Sequence, residues 1–390
     1  MKTPIPLKFQ KVPNHPITPS PRHIVVARFD HLGDNILGLP LIYSLRQTWP
    51  EARIDLVVNP VAANLMHGQP ICDRVLSFDT SAFGPSMLSY LDLSKFSTRH
   101  WSDSTVDLYI SPRSDSFDSI HVALLSLMLQ PRISVCSQRY LEFPGPGTVH
   151  RPHLLHRSVR RIAFNRVIHS NISNVHELDR LDEIREAFAL APMKPPILII
   201  GAHQRSVARS WLEDLSIKNG HGLIALAPGA RDPRRQWGLD RFGELIRVLA
   251  EQHPEIQFLL LGSPDEFAAL ASCAAQFAPG LVLVPRIELY ALPALLAACD
   301  WFIGNDSGPA HIASAVGCPV TVISCHPIGG NPLHQNAPER FSPAGDFATV
   351  VRPKPTSFLC LHNCTAADYA CCIRNIQATD VAATVKLNQL

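Results

Sequence analysis

The sequence predicts two α/β domains in tandem, each a parallel sheet wrapped by helices. Three observations lead there. Short β-branched runs alternate with helix-length apolar patterns along most of the chain, as in βαβ units. That rhythm fades across residues 137–175 and restarts after a proline-rich break, APMKPP, at 191–196. Finally, 390 residues exceed what one hydrophobic core usually serves. A cleft facing the carboxyl ends of both sheets is then the expected ligand site.

The first 21 residues hold six prolines and three lysines but no apolar stretch of the secretory kind, and read as an arm. The first domain spans 22–190. Its opening run HIVVARF, His23 to Phe29, reads as a buried strand. Gly33 and Asp34 open a helical pattern through Ile36, Leu37, Leu41, Ile42 and Leu45 that ends near Pro50. Further strands are expected at Arg53 to Val58, Arg74 to Phe78, Val106 to Ser111 and Ile133 to Cys136, the last after an apolar helix. Residues 137–175 read as irregular and basic, and Glu177 to Leu190 as helical. After the linker, a second domain over 197–375 carries strands at Leu223 to Ala227, Gln257 to Leu261, Leu281 to Val284, Trp301 to Gly304 and Val320 to Ile323. A final helix, about Thr379 to Asn388, occupies 376–390.

Composition narrows the function. Hydrophobic residues at 46% and charged residues at 17% exclude a wholly disordered chain. Thirty-five Lys and Arg against 33 Asp and Glu are too balanced for a nucleic-acid partner. No apolar run reaches the ~18 residues of a membrane span, so a soluble, cytoplasmic protein is expected. Ten cysteines without a secretion signal should be reduced and mostly buried. Four crowd the C-terminal segment, Cys360, Cys364, Cys371 and Cys372, near His362. C-x-x-x-C followed by C-C is not a clean zinc pattern, and both a metal site and a packed reduced loop stay open.

Three segments carry chemistry. RFDHLGDNILG has the position of a dinucleotide loop without its glycine spacing, and no Walker lysine follows. Its Asp34 reads either as a helix N-cap or as a general base taking a proton from an acceptor hydroxyl. In FIGNDSGPAHIASAVGCPV, Asp306 or Ser307 is expected to cap a helix with Pro309 in its first turn. That helix start, with Gly308 and the back-pointing His311, suits a phosphate. In LAPGARDPRRQW, Gly229, Ala230, Arg231 and Arg235 follow a strand, and arginine forks suit diphosphate oxygens. Asp265 and Glu266 after the next strand are placed to hold ribose hydroxyls, with Glu266 preferred. An acid-free basic run, Arg151 to Arg166, is either a solvated loop or a surface for an anionic acceptor or lipid headgroups.

Together these segments resemble the ADP-heptose glycosyltransferases of glycosyltransferase family 9, from about residue 23 to residue 385. LGDNILGLPLIYSLRQTWPEARIDLVV looks like the family's opening turn and helix, PGARDPRRQW like its phosphate loop, and GNDSGPAHIASAVGCPV like its nucleotide signature. The resemblance implies a GT-B fold, two Rossmann-like domains facing across a cleft, and metal-independent inverting transfer with no cofactor beyond the donor ADP-heptose. It places Asp34 on the family's base, and Asp306, Ser307, Gly308 and His311 on its donor turn. Arg235 stands where the family usually has lysine, Gln236 where it has a basic residue, and Gly238 where it has proline. The implied acceptor is an anionic glycan or glycolipid of lipopolysaccharide-core type, met by Arg157, Arg160, Arg161 and Arg166 at the cytoplasmic face of the inner membrane. The last helix is expected to return to the first domain. Another nucleotide-sugar transferase, a GT-B epimerase and a non-catalytic nucleotide-sugar-binding protein are the alternatives.

Overall fold

The computed structural model describes residues 17–80, 87–112, 119–138, 159, 161–169, 176–215, 217, 222–277, 281–332, 334, 336–355 and 371–387. The first domain contains β1 (His23–Arg28), β2 (Arg53–Val58), β3 (Arg74–Ser77), β4 (Leu108–Ser111), β5 (Ile133–Gln138) and β6 (Arg166–His169). Its helices are α1 (Leu32–Thr48), α2 (Pro60–Met66), α3 (Met87–Trp101), α4 (Ser119–Leu129) and α5 (Glu177–Ala187). The second contains β7 (Leu223–Ala227), β8 (Gln257–Leu260), β9 (Val282–Leu283), β10 (Trp301–Asn305), β11 (Val320–Ile323) and β12 (Ala348–Val351). Its helices are α6 (Ala202–Asp214), α7 (Leu239–Gln252), α8 (Phe267–Ala274), α9 (Leu292–Leu296), α10 (Gly308–Ala315), α11 (Pro338–Phe341) and α12 (Ala378–Ala382).

Both sheets are parallel and six-stranded, ordered β3-β2-β1-β4-β5-β6 and β12-β11-β10-β7-β8-β9. Counted from its own first strand, the second sheet repeats the order of the first. Each therefore reverses direction at one point, between β1 and β4 and between β7 and β10, and ligands bind beyond such switch points. β1 lies between two neighbours and all six of its residues are buried, which is why HIVVAR is an apolar run rather than an alternation.

The two faces of each sheet bury different layers. Ile24 and Val26 of β1 join Leu39 and Leu41 of α1 in a core that continues through Ala310 and Ile312 of α10 to Ala225 and Val320 of the second sheet. Val25 and Ala27 face the other way, with Tyr109 and Trp101, as Ile224 and Leu226 do with Trp237 and Phe242. One apolar layer thus spans the two domains. Between Leu190 and Gly201 the chain has no helix or strand. It is held by Gln69, whose Nε2 donates to Ile199 O and whose Oε1 accepts from Ile199 N, both at 2.9 Å.

The structure departs from expectation at three points. The stretch 137–175 includes β6, a four-residue edge strand too short and too basic to show an apolar run. β12 is likewise a half-exposed edge strand, and its four residues gave no period to read. The final helix α12 packs on α7 of the second domain instead of returning to the first. Val381 and Ala382 are buried in the second domain's core, and Trp237 Nε1 donates to Ile376 O at 3.1 Å just before the helix.

Asp55, fully buried on β2, ties the first domain's outer strands together. It accepts from Arg74 Nε and Nη2 at 2.9 and 2.6 Å and from Trp101 Nε1 at 2.9 Å, with His23 Nε2 at 2.8 Å. Burial alone would raise its pKa. The bonds from Arg74, His23 and Trp101 outweigh that and hold the carboxyl well below the usual carboxylate range. Asp55→Ala should cost about 3 kcal/mol at neutral pH, because it strips the partner from buried donors. A depressed native pKa stabilises above the unfolded value of about 4 and loses that contribution as pH falls further. Urea unfolding at pH 7 and pH 3 should therefore show the gap between wild type and variant shrinking in acid.

Candidate functional site

The carboxyl end of β1 delivers Arg28 into a tight turn. Asn35 Nδ2 donates to Asp30 O and His31 O at 3.1 and 3.0 Å, and Asn59 Nδ2 also donates to Asp30 O, fixing the turn. His31 is the N-cap of α1, so Asp34 is not a cap; it stands in the helix's first turn with a side chain 14% exposed. A carboxylate there is favoured by the helix dipole. Beneath it lies a buried ionic cluster. Arg28 Nε donates to Asp30 Oδ2 at 3.1 Å, and Nη2 donates to Glu177 Oε1 at 2.6 Å while lying 3.8 Å from Asp34 Oδ1. Arg180 Nη1 donates to Glu177 Oε2 at 3.2 Å.

Across the cleft, the loop after β7 and the turn after β10 flank the second switch point. Asn305, fully buried, clamps them together: its Nδ2 donates to Pro228 O at 2.5 Å and its Oδ1 accepts from Trp237 N at 3.2 Å. Arg235 points its fork at Asn336 Oδ1, at 3.2 and 2.8 Å, with Nη1 3.3 Å from Asp306 O and 3.5 Å from Asp306 Oδ2. Asn336 is itself seated by a bond from its N–H to His334 Nδ1 at 3.1 Å, and the His334 ring stacks on His326. Burial pushes the His334 pKa down to about 4, so its lone pair is available to that bond at neutral pH. Gln236 Nε2 donates to Ala230 O at 2.8 Å, closing the loop on itself. Gly238 has φ +113°, which proline cannot adopt, so the glycine here is a requirement of this loop.

The start of α10 differs from the sequence expectation in one respect. Ser307 is the N-cap residue, but its Oγ donates back to Asn305 O at 3.2 Å, and the carboxylate of Asp306 turns to Arg235. No side chain caps the first turn of α10. Its leading amides and dipole face the cleft, as an anion site requires. Glu266 Oε2 accepts from Ser263 N and Oγ at 2.7 and 2.9 Å, and a Cβ on Gly229 would fall 2.3 Å from Glu266 Oε1. The carboxylate of Glu266 therefore rests against the β7 loop, and Gly229 is the residue that admits it.

The two half-sites touch. A Cβ on Gly33 would lie 2.7 Å from His311 Cδ2, and one on Gly308 would lie 3.0 Å from Leu32 Cδ2. Arg231 Nη1 reaches over the cleft to His31 Nδ1 at 2.7 Å. The buried His311 has its pKa lowered, chiefly by burial, while Asp306 and Asp34 pull the other way. Its Nδ1 has no hydrogen-bond partner. Asp34, His311, Asp306, Arg231 and Arg235 thus lie around one place.

Other expected residues are not brought there. Arg157, Arg160, Cys360 and Cys364 lie outside the described residues. Arg161 is exposed, and Arg166 opens the edge strand β6, level with Val135 and three strands from β1. Cys372 is buried in the second core with Sγ donating to Cys325 O at 3.8 Å. Cys371 begins the short helical turn beside it. Sequence reasoning missed Arg28, His31, Glu177, Arg180, Asn305 and Asn336. An arginine closing an otherwise apolar strand was the one available signal.

Gly33→Ala tests the contact between half-sites. Alanine is favoured over glycine in a helix by about 1 kcal/mol. Here the new methyl collides with a buried ring, and a net destabilisation of about 1–3 kcal/mol is expected. A lowered denaturant midpoint with an unchanged m-value checks it.

Residues 178–324 match the family model described as glycosyltransferase family 9 (heptosyltransferase). Lipopolysaccharide heptosyltransferase 3 of Escherichia coli strain K12 is 24% identical over 293 residues, 74% of this chain and 78% of that protein. The solved E. coli ADP-heptose lipopolysaccharide heptosyltransferase II superposes with a TM-score of 0.64 at 19% identity, covering 94% of this chain and 98% of that one. An E. coli heptosyltransferase solved with ADP-2-deoxy-2-fluoro heptose gives 0.62 at 16% identity, covering 94% and 99%. Two like-ordered parallel sheets meeting at their switch points, with these likenesses, give the chain a two-domain GT-B fold, and its residues 178–324 are similar to the heptosyltransferases of glycosyltransferase family 9.

Proposed function

We propose that the protein transfers heptose from ADP-heptose to a hydroxyl of a lipopolysaccharide-core-type acceptor, with Asp34 as general base. The observation that carries this reading is the contact of the Gly33–Asp34 turn with the start of α10. It sets a carboxylate and an uncapped helix start on opposite walls of one cleft. The donor's diphosphate lies at α10 and the β7 loop, against the backbone of Gly308 and the guanidinium of Arg231. Arg235 shapes that cradle through Asp306 and adds its positive field. Glu266 holds the ribose.

Transfer then runs in one displacement. The acceptor hydroxyl gives its proton to Asp34, and its oxygen attacks the anomeric carbon from the side opposite ADP. The carbon–oxygen bond to the β-phosphate breaks, and its electron pair leaves on ADP, where the α10 dipole and the arginines meet the developing charge. Arg161 and Arg166, exposed on the same domain, offer cationic surface to the phosphates or carboxylates of a large glycolipid at the inner membrane's cytoplasmic face. Among the described residues no helix is long and apolar enough to cross a membrane.

Asp34→Asn should bind ADP as wild type does and lose about 10²–10⁴ in turnover. Intact turnover in that variant would remove Asp34 from the chemistry. Arg235→Ala should weaken ADP binding by about 1.5–3 kcal/mol, since it removes a cation beside the diphosphate and releases the Asp306 carboxylate. Calorimetry with ADP reads both affinities, and ADP release from ADP-heptose in the presence of acceptor reads the turnover.

A further inference from the structure

The cluster beneath Asp34 is more elaborate than a base needs for support. Arg28 is 3% exposed and Glu177 1%. Neither would be buried without a partner, because an unpaired charge is costly to desolvate. What matters is how Arg28 divides its hydrogen bonds. Nε is committed to Asp30 at 3.1 Å. Nη2 lies between two carboxylates and favours one of them, 2.6 Å to Glu177 Oε1 against 3.8 Å to Asp34 Oδ1. A Cβ on Gly38 would lie 3.2 Å from Nη1, so the guanidinium is also seated against α1, one turn beyond Asp34.

We propose that Glu177 is a positioning residue for Asp34: by taking the short bond from Arg28 Nη2, it keeps that guanidinium from closing onto the base. The inference rests on the reading of Asp34 as the base. A carboxylate in a close arginine pair has its lone pairs engaged and its basicity reduced. At 3.8 Å, Asp34 keeps the attraction of the cation while its oxygens stay outside hydrogen-bond range of it. Facing Asp34 are Arg28 on β1, Glu177 and Arg180 at the start of α5, and His311 on α10 with Asp306, Arg235 and His176 around it. Removing the Glu177 charge acts on Asp34 in one direction by two routes. It frees Arg28 to approach, and it removes a nearby negative charge.

Glu177 is well placed to hold this distance because both domains fix it. It is the first residue of α5, whose N-cap is His176. Leu178 N donates to His176 Nδ1 at 3.2 Å, so Nε2 carries the proton and donates to Ser342 O of the second domain at 3.1 Å. Arg180, one turn on, donates to the other Glu177 oxygen.

The test compares wild type, Glu177→Gln, Glu177→Asp and Asp34→Asn. The assay follows ADP release from ADP-heptose with heptose-deficient lipopolysaccharide core as acceptor between pH 5 and 9, with ADP affinity measured by calorimetry. Glu177→Gln should bind ADP normally, lose about tenfold in plateau kcat, and shift the acid limb of kcat about 0.5–1 unit lower, as a less basic Asp34 requires. Glu177→Asp, which keeps the charge at a longer reach, should place the limb between the two. An acid limb that stays at the wild-type pH in Glu177→Gln overturns the proposal, whether or not kcat falls. Should the Gln variant fail to bind ADP, the Asp variant decides: an unmoved limb there overturns it equally. Full turnover by Asp34→Asn is a different failure, because it removes the base on which the inference stands.

Discussion

The packing of α1 against α10 is the constraint on which the rest of this structure depends. Both helices follow a strand at a switch point, and each buries half of its first turn, Gly33 and Asn35 in α1 and Ala310 and His311 in α10. Because α1 is apolar on all sides, it cannot serve one sheet alone. It covers the first sheet with one face and the second domain with another, and the two cores fuse into one layer. Glycine at 33 and 308 lets the helix starts approach until His311 rests on Gly33 and Leu32 on Gly308. The same approach brings a first-turn carboxylate and an uncapped amide cluster to facing walls.

The loop from 228 to 238 shows how a site can differ at several positions and remain coherent. Arg235, Gln236 and Gly238 each replace the residue type usual in the resembled family. Arg235 uses its fork on Asn336 and Asp306, which a lysine's single ammonium could not match. Gln236 closes onto Ala230 O, a contact that needs an amide and no charge. With φ at +113°, Gly238 turns the chain into α7 in a way closed to proline. The three departures support one local geometry.

Much of the fold was legible because buried parallel strands are short β-branched runs. Arg53–Val58, Leu223–Ala227 and Val320–Ile323 could be read to the residue. β6 and β12, two short edge strands, were not read: β6 lies inside a basic, irregular stretch and β12 has only four partly exposed residues. The turn into α10 was legible for a related reason: its glycine, serine, proline and histidine are nearly contiguous, and local backbone chemistry sets their geometry. Even there only the position was legible: Ser307 is the N-cap residue, but its hydroxyl donates to Asn305 O and makes no capping bond. Arg28 and Glu177 are 149 positions apart, and only the packing of α5 on α1 makes them partners.

That separation bears on why the ionic cluster survives in a core where apolar residues would pack more cheaply. Arg28, Arg180, Asp30, Asp34 and Glu177 sum to two cations and three carboxylates, all in or near the buried layer. Hydrophobic replacements of similar volume would avoid the desolvation of these five charges. They would also take from Asp34 the guanidinium that lies 3.8 Å from its Oδ1, and with it the support that favours the charged carboxylate in a partly buried turn. For Asp34 to act as the base proposed for it, positive charge must lie close by, yet not in contact. One arginine shared unequally among three carboxylates meets both conditions, and the fold holds the unequal sharing by anchoring Glu177 from both domains.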